Sequence, residues 1–289
     1  MSNIEWSDMS VNPIHLIRED GSHGGHWCRK VSPGCAQCYS ETQNQSNYFK
    51  FASHLPYSGK APDNLIFDEK VMQELVKTRS PKKIFLCSMT DLFGDWVSDE
   101  WIDRAFAYMA IASQHTFQIL TKRPERMREY FLSENRDSKI SNWATTFDKS
   151  DSDQIISVNL PLQNVWLGTS VENQKAADDR IPSLLQTPAS VRFLSCEPLL
   201  ESIDLNKCFR TSKDGYELTW LDYLNLIIVG GESGIGARPC HVDWIRSLVR
   251  QCQPTNVAVF VKQLGSNPLL TACYIDGVAV THQKRTGNS

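Results

Sequence analysis

Six short apolar runs, each followed by a polar or Gly-rich turn and most of them then by a helical stretch, predict an α/β protein. Its parallel strands would form a partial or full TIM-like (β/α) barrel. The runs are nearly continuous Val, Ile, Leu and Phe rather than alternating, as in sheet buried on both faces. Polar residues gather just past the ends of these runs, the face on which such folds bind ligands. One domain is expected over 1–265, with a loop at 26–41 and a polar insertion at 133–160, then a C-terminal hairpin around Asp276-Gly277 and tail at 266–289.

In chain order, IEWSDMSVNPIH has no helical period and reads as an irregular cap before the Gly/His-rich DGSHGGHW. A helix is expected from Tyr39 to Phe51 and another over Phe67–Arg79, with Val71, Leu75 and Val76 at helical spacing. Ile84–Ser88 is the first strand. It leads through Asp91 and Gly94 to a helix capped by Ser98, with Ile102, Ala105, Phe106 and Met109 on one face. Strands follow at Thr116–Leu120, Asn164–Ser170, Val191–Ser195, Leu226–Val229 and Val257–Val261, with room for a seventh around Cys28. Their trailing residues are Lys122 and Arg123; Ser170 and Glu172; Cys196 and Glu197; Gly230, Gly231, Glu232 and Ser233; Lys262 and Gln263.

The 289 residues are 41% hydrophobic and 22% charged, ample for a buried core. A formal net charge of −3 gives no overall field for a polyanion, although a local groove can still be positive. No apolar run approaches the roughly twenty residues of a membrane span, and MSNIEWSDMSVNP lacks a signal-peptide pattern, so a cytoplasmic protein without a membrane partner is expected. Nine cysteines, an odd count, point to reduced thiols rather than a disulfide framework.

Three of these thiols fall within eleven residues, in HWCRKVSPGCAQCYSE: Cys28, Cys35 and Cys38, spaced C-x6-C-x2-C. Ser32-Pro33-Gly34 forces a turn between the first and the last two. A structural zinc takes four protein ligands, whereas an iron–sulfur cluster held by three cysteines keeps one iron open. His26 leaves a closed Cys3His zinc site as the alternative, and unliganded thiols as a third. The GGESGIG stretch lacks both the G-x-G-x-x-G spacing and a Walker lysine, and fits a backbone-close contact to a ligand's amino or carboxylate group, with Glu232 as acceptor.

The ordered set NPIH, C-x6-C-x2-CY, FLCSMTDLFGDWV, ILTKRPERM, NVWLGTSVENQ, RFLSCEPLL, IIVGGESG and VKQLG closely resembles the phage-associated three-cysteine-motif family, a domain family of unknown function carried by phage proteins. That family is similar to the radical S-adenosylmethionine enzymes and to spore photoproduct lyase-like proteins. The resemblance implies a radical-SAM-like partial barrel with a four-iron four-sulfur cluster on Cys28, Cys35 and Cys38 and S-adenosylmethionine on its open iron. Two departures stand out: radical enzymes carry three residues in the first gap where this chain has six, and SMTD stands where their Gly-Gly-Glu motif would be.

Under this resemblance Ser88, Asp91, Ser170, Glu172, Glu197, Gly230, Gly231 and Glu232 are the candidate cofactor contacts. Lys122 and Cys196 are the candidate catalytic side chains, Lys122 holding an anionic group and Cys196 returning a hydrogen atom. An electron donor such as flavodoxin or ferredoxin is implied, with nucleic acid the leading substrate and a partner protein a further candidate. Trp96, Trp101 and Trp166 are compatible with base stacking. The alternative is a zinc-stabilised, non-catalytic nucleic-acid- or protein-binding phage protein.

Overall fold

A computed structural model describes residues 6–49, 51–147 and 156–269, and the backbone of 274–275 and 278–279. The chain divides into two compact units, Met1–Gly168 with Gln186–Val191, and Thr169–Leu185 with Arg192–Ser289. In each, parallel strands alternate with helices, as the sequence predicts.

The first unit contains β1 (Met9–Val11), β2 (Ile14–Leu16), α1 (Tyr39–Gln45), β3 (Leu65–Phe67), α2 (Glu69–Lys77), β4 (Lys83–Leu86), α3 (Asp99–Ile111), β5 (Thr116–Thr121), α4 (Pro124–Leu132), α5 (Arg136–Phe147) and most of β6 (Val165–Ser170). Its sheet runs in the order β1-β4-β5-β6. The pairings β1–β4 and β4–β5 are parallel, with Met9 opposite Ile84 and Lys83 opposite Thr116. Ile84, Phe85 and Leu86 are all buried, which explains the unbroken apolar run. Ser98 accepts the Trp101 amide at 3.2 Å and caps α3, whose Ile102, Ala105, Phe106 and Met109 enter the core as their spacing predicts.

Four segments differ from the sequence reading. Met9–Val11, expected as an irregular cap, is the edge strand of this sheet, and no strand forms around Cys28. The first helix stops at Gln45 because Ser46 is extended. Residues 136–147, within the expected insertion, form a helix that buries Ile140 and Ala144. Arg136 anchors it by donating to Asp103 at 2.7 Å and Asp99 at 2.9 Å.

The second unit takes the chain from Thr169 through α6 (Gln174–Gln186) and, from Arg192, through most of β7 (Val191–Cys196), the hairpin of β8 (Cys208–Thr211) and β9 (Glu217–Thr219), β10 (Leu226–Gly230), β11 (Cys240–His241), α7 (Val242–Cys252) and β12 (Ala258–Gln263). Strand β10 lies between β7 and β12, parallel to both, with Leu226 opposite Phe193 and Ala258. Tyr274–Ile275 pairs antiparallel with Val278–Ala279. The Asp276-Gly277 turn expected between them lies outside the described residues. Among the described residues no helix is long and apolar enough to cross a membrane.

Candidate metal centre

The cysteine loop owes its course to its sequence. Ser32 is extended, as a residue before proline tends to be, and Pro33–Cys35 closes a 3-10 turn in which the Cys35 amide donates to Ser32 at 2.9 Å. Cys38 then caps α1. The turn expected from Ser32-Pro33-Gly34 is therefore present.

Hydroxyl groups fasten this loop to the segment after β4. Thr90 Oγ1 donates to the Trp27 carbonyl at 2.7 Å, and the Tyr39 hydroxyl donates to the Ser88 carbonyl at 2.5 Å. Ser40 Oγ and the Tyr57 hydroxyl both donate to the Met89 carbonyl, at 2.8 and 3.1 Å. Arg123, just past β5, donates to the Arg29 carbonyl at 3.0 Å. Of the residues named from sequence, Ser88 also hydrogen-bonds Asn12 through its hydroxyl. Asp91 is a hub: it accepts from the amides of Phe93 and Lys122, from Thr121 Oγ1 at 2.7 Å and from the Arg123 guanidinium at 2.9 Å.

Thiol electrostatics follow from this packing. Cys28 and Cys38 pack on a cluster of Leu16, Trp27 and Tyr57. Burial pushes the Cys28 thiol far up, with Asp91 adding and Arg123 opposing, and Cys38 and Cys35 are near enough to add their own charge. Burial also raises Cys38, against the backbone amides of Glu41 and Ser40 and the positive charge of Lys122. Among the described residues the Lys122 ammonium has no ion pair, so that charge is available beside the thiols.

His26 is anchored through one ring nitrogen. Its Nδ1 lies 3.1 Å from the Ile14 carbonyl, and its ring packs edge-on against His23 and Phe51. Burial lowers its pKa to about 4. Among the described residues no three His, Cys, Asp or Glu side chains are grouped so as to hold one metal ion.

In the second unit the residues named from sequence are mostly tied to one another. Buried Glu172 pairs with Arg180 at 2.9 Å, and Arg180 also donates to the Ser170 carbonyl. Glu197 receives Lys262 at 2.6 Å and Gln263 at 3.2 Å. Glu232 is clasped by Arg238; burial works to raise its pKa, but these hydrogen bonds and this charge hold it below the usual carboxylate value. Gly231 has a packing reason: a Cβ there would lie 2.4 Å from the Leu264 carbonyl oxygen. At Gly230 a Cβ would also be crowded, 3.2 Å from the Gln263 carbonyl oxygen. Cys196 is fully buried, and burial drives its thiol far up. The fastening hydroxyls of Tyr39, Ser40, Tyr57 and Thr90 were not singled out from sequence, since nothing local marks a hydroxyl whose acceptor is tens of residues away.

These features define an α/β protein in which a three-thiol loop is fixed to the residues following parallel strands. The chain belongs to the family DUF5131, described as a protein of unknown function, which matches residues 1–287. No curated protein and no solved structure matches it, so nothing in these comparisons links it to the radical S-adenosylmethionine enzymes or to spore photoproduct lyase.

Proposed function

We propose that the protein is an iron–sulfur, S-adenosylmethionine-dependent radical enzyme of phage type, acting on a nucleic-acid substrate. The observation that carries this reading is that the Cys28, Cys35 and Cys38 thiols, on one loop, lie near enough to act on one another. Only the Nδ1 of His26 is engaged, by the Ile14 carbonyl, so a Cys3His zinc site is the alternative that metal analysis separates from this reading. Three thiolates are the ligand number of a cubane cluster with one open iron, and the cysteine loop would have to draw the three side chains together to hold one.

When bound, the cluster and S-adenosylmethionine supply hydrogen-atom abstraction, the chemistry that side chains alone lack. The chain's own residues position and shield. Burial keeps the Cys28 and Cys38 thiols protonated, so loading requires them to give up protons. Lys122, which has no ion pair among the described residues, supplies a positive charge beside Cys38 for an anionic group. Asp91 and Arg123 hold the Cys28 arm. Cys196, kept as a thiol by burial, retains the S–H bond that a hydrogen-atom donor needs. Of the candidate cofactor contacts, Ser88 lies in the unit that carries the cysteine loop, and a flavodoxin- or ferredoxin-type donor supplies the electron.

Anaerobic reconstitution with iron and sulfide tests the reading. About four irons per chain, a brown colour and cleavage of S-adenosylmethionine under strong reductant are expected. A colourless protein with one tightly held zinc sinks it.

A further inference from the structure

A cavity of about 350 Å³ opens beside the thiol loop, lined by Arg29, Lys60, Leu65, Asp95, Trp96 and Trp101 among others. Its volume falls in the range of small-ligand sites, about 300–1,000 Å³. It adjoins the thiols through shared packing, because Leu65, Trp96, Cys28 and Cys38 all rest on the cluster that contains Trp27.

The aromatic wall is built to hold still. Trp96 folds across Gly94, where a Cβ would stand 2.4 Å from the indole. Trp27 meets Trp96 edge-on at 4.9 Å, and the Arg123 guanidinium lies 4.7 Å from the ring centroid. A fixed indole offers a stacking surface at little entropic cost. Two cations stand at the same cavity. Arg29, the residue after Cys28, is steered by Asp95 at 2.6 Å, and Lys60 pairs with Asp63 at 2.9 Å. Both pairs are solvent-exposed and therefore weak enough to exchange for a ligand's phosphate. Asp63 and Asp95 would then be free to accept from exocyclic amino groups.

We propose that this cavity binds a nucleotide unit, its base against Trp96 and Trp101 and its phosphate at Arg29 and Lys60, whether free or within a single strand. Its role as the substrate side of the cysteine centre rests on the iron–sulfur reading; the binding itself does not.

The test uses the full-length chain in both metal-free and reconstituted forms. Fluorescence anisotropy of a labelled single-stranded oligonucleotide is measured for the parent, Trp101→Ala and Lys60→Glu, with AMP and S-adenosylmethionine as competitors and thermal melting as the folding control. Binding is expected in both forms. Each variant should weaken it at least about fivefold with unchanged melting, as loss of one stacked base or one phosphate contact predicts. Lys60→Glu should also flatten the dependence on salt by about one ion. AMP competing as well as an unlabelled strand would identify a free nucleotide as the ligand, and a strand preference would identify single-stranded nucleic acid. Absence of binding by strand and AMP alike, binding indifferent to both variants, or displacement by S-adenosylmethionine but not by AMP overturns the proposal. Iron content, measured on the same samples, reports separately on the cysteine centre.

Discussion

Arg123 and Asp91 meet at 2.9 Å, and the same guanidinium reaches the Arg29 carbonyl at 3.0 Å. One charge pair thus ties the residue after β5 and the loop after β4 to the backbone beside Cys28. Both side chains are largely shielded, at 15% and 8% exposure.

Arg123→Gln should therefore be costly. Asp91 would keep its amide and Thr121 partners but lose its counter-charge, at about 3 kcal/mol of stability. The Asp91→Asn, Arg123→Gln double variant should lose clearly less than the sum of the singles, because each single variant strands the other's partner. Urea unfolding of the four proteins measures this coupling. Additive losses would show that the pair does not act as a unit.

The Gly-Gly pair after β10 makes a second prediction. Gly231→Ala places a methyl group against the Leu264 carbonyl oxygen and the Cys240 side chain, which should destabilise the chain by about 1–3 kcal/mol. Gly215→Ala, where a Cβ meets nothing within 4 Å but φ is +84°, should cost only about 1 kcal/mol of backbone strain. Thermal unfolding compares them. Equal melting temperatures would return Gly231 to the role expected from sequence, close approach to a ligand.

Cys87 and Cys196 set a pH dependence. Both are fully buried and their thiols are pushed well above the ordinary value of 9.0 by burial. The folded chain holds these protons more tightly than the unfolded chain, so the stability they contribute is complete below about pH 9 and is lost as pH rises. Each thiol should remove about 1.4 kcal/mol per pH unit above that point, and the two together about 3. Urea midpoints from pH 8 to 10.5 read the slope, and Cys196→Ala should roughly halve the part due to this pair. A flat profile would mean that the buried thiols ionise as freely folded as unfolded.

Sequence carried the fold where one physical cause dominates. The strands at Ile84, Thr116, Val165, Val191, Leu226 and Ala258 are apolar runs bounded by turn residues, and Ser98 is a cap with a local target. It failed where tertiary partners decide. Met9–Val11 is a strand because β4 lies beside it, and residues 136–147 are helical because Arg136 finds Asp99 and Asp103 on α3. The site was legible to the same degree. The cysteine spacing and its turn are local, whereas the commitment of Asp91 to four donors, and of Glu232 to Arg238, depends on where other segments arrive.

His26 and Cys35 separate the two metal chemistries. In a Cys3His zinc site, losing either residue removes a ligand, and both variants should lose metal together. With the cluster on the thiols alone, Cys35→Ser should lose its iron while the fold persists. His26→Gln should keep its iron and give up only the contact with the Ile14 carbonyl and some ring packing, about 1–2 kcal/mol. Iron and zinc content after anaerobic purification, set beside the unfolding midpoint of each variant, measures both quantities. Iron retained by the His26 variant and lost by the Cys35 variant is the expected pattern. Loss of metal from both would make the imidazole a ligand and close the coordination position on which the enzymatic reading depends.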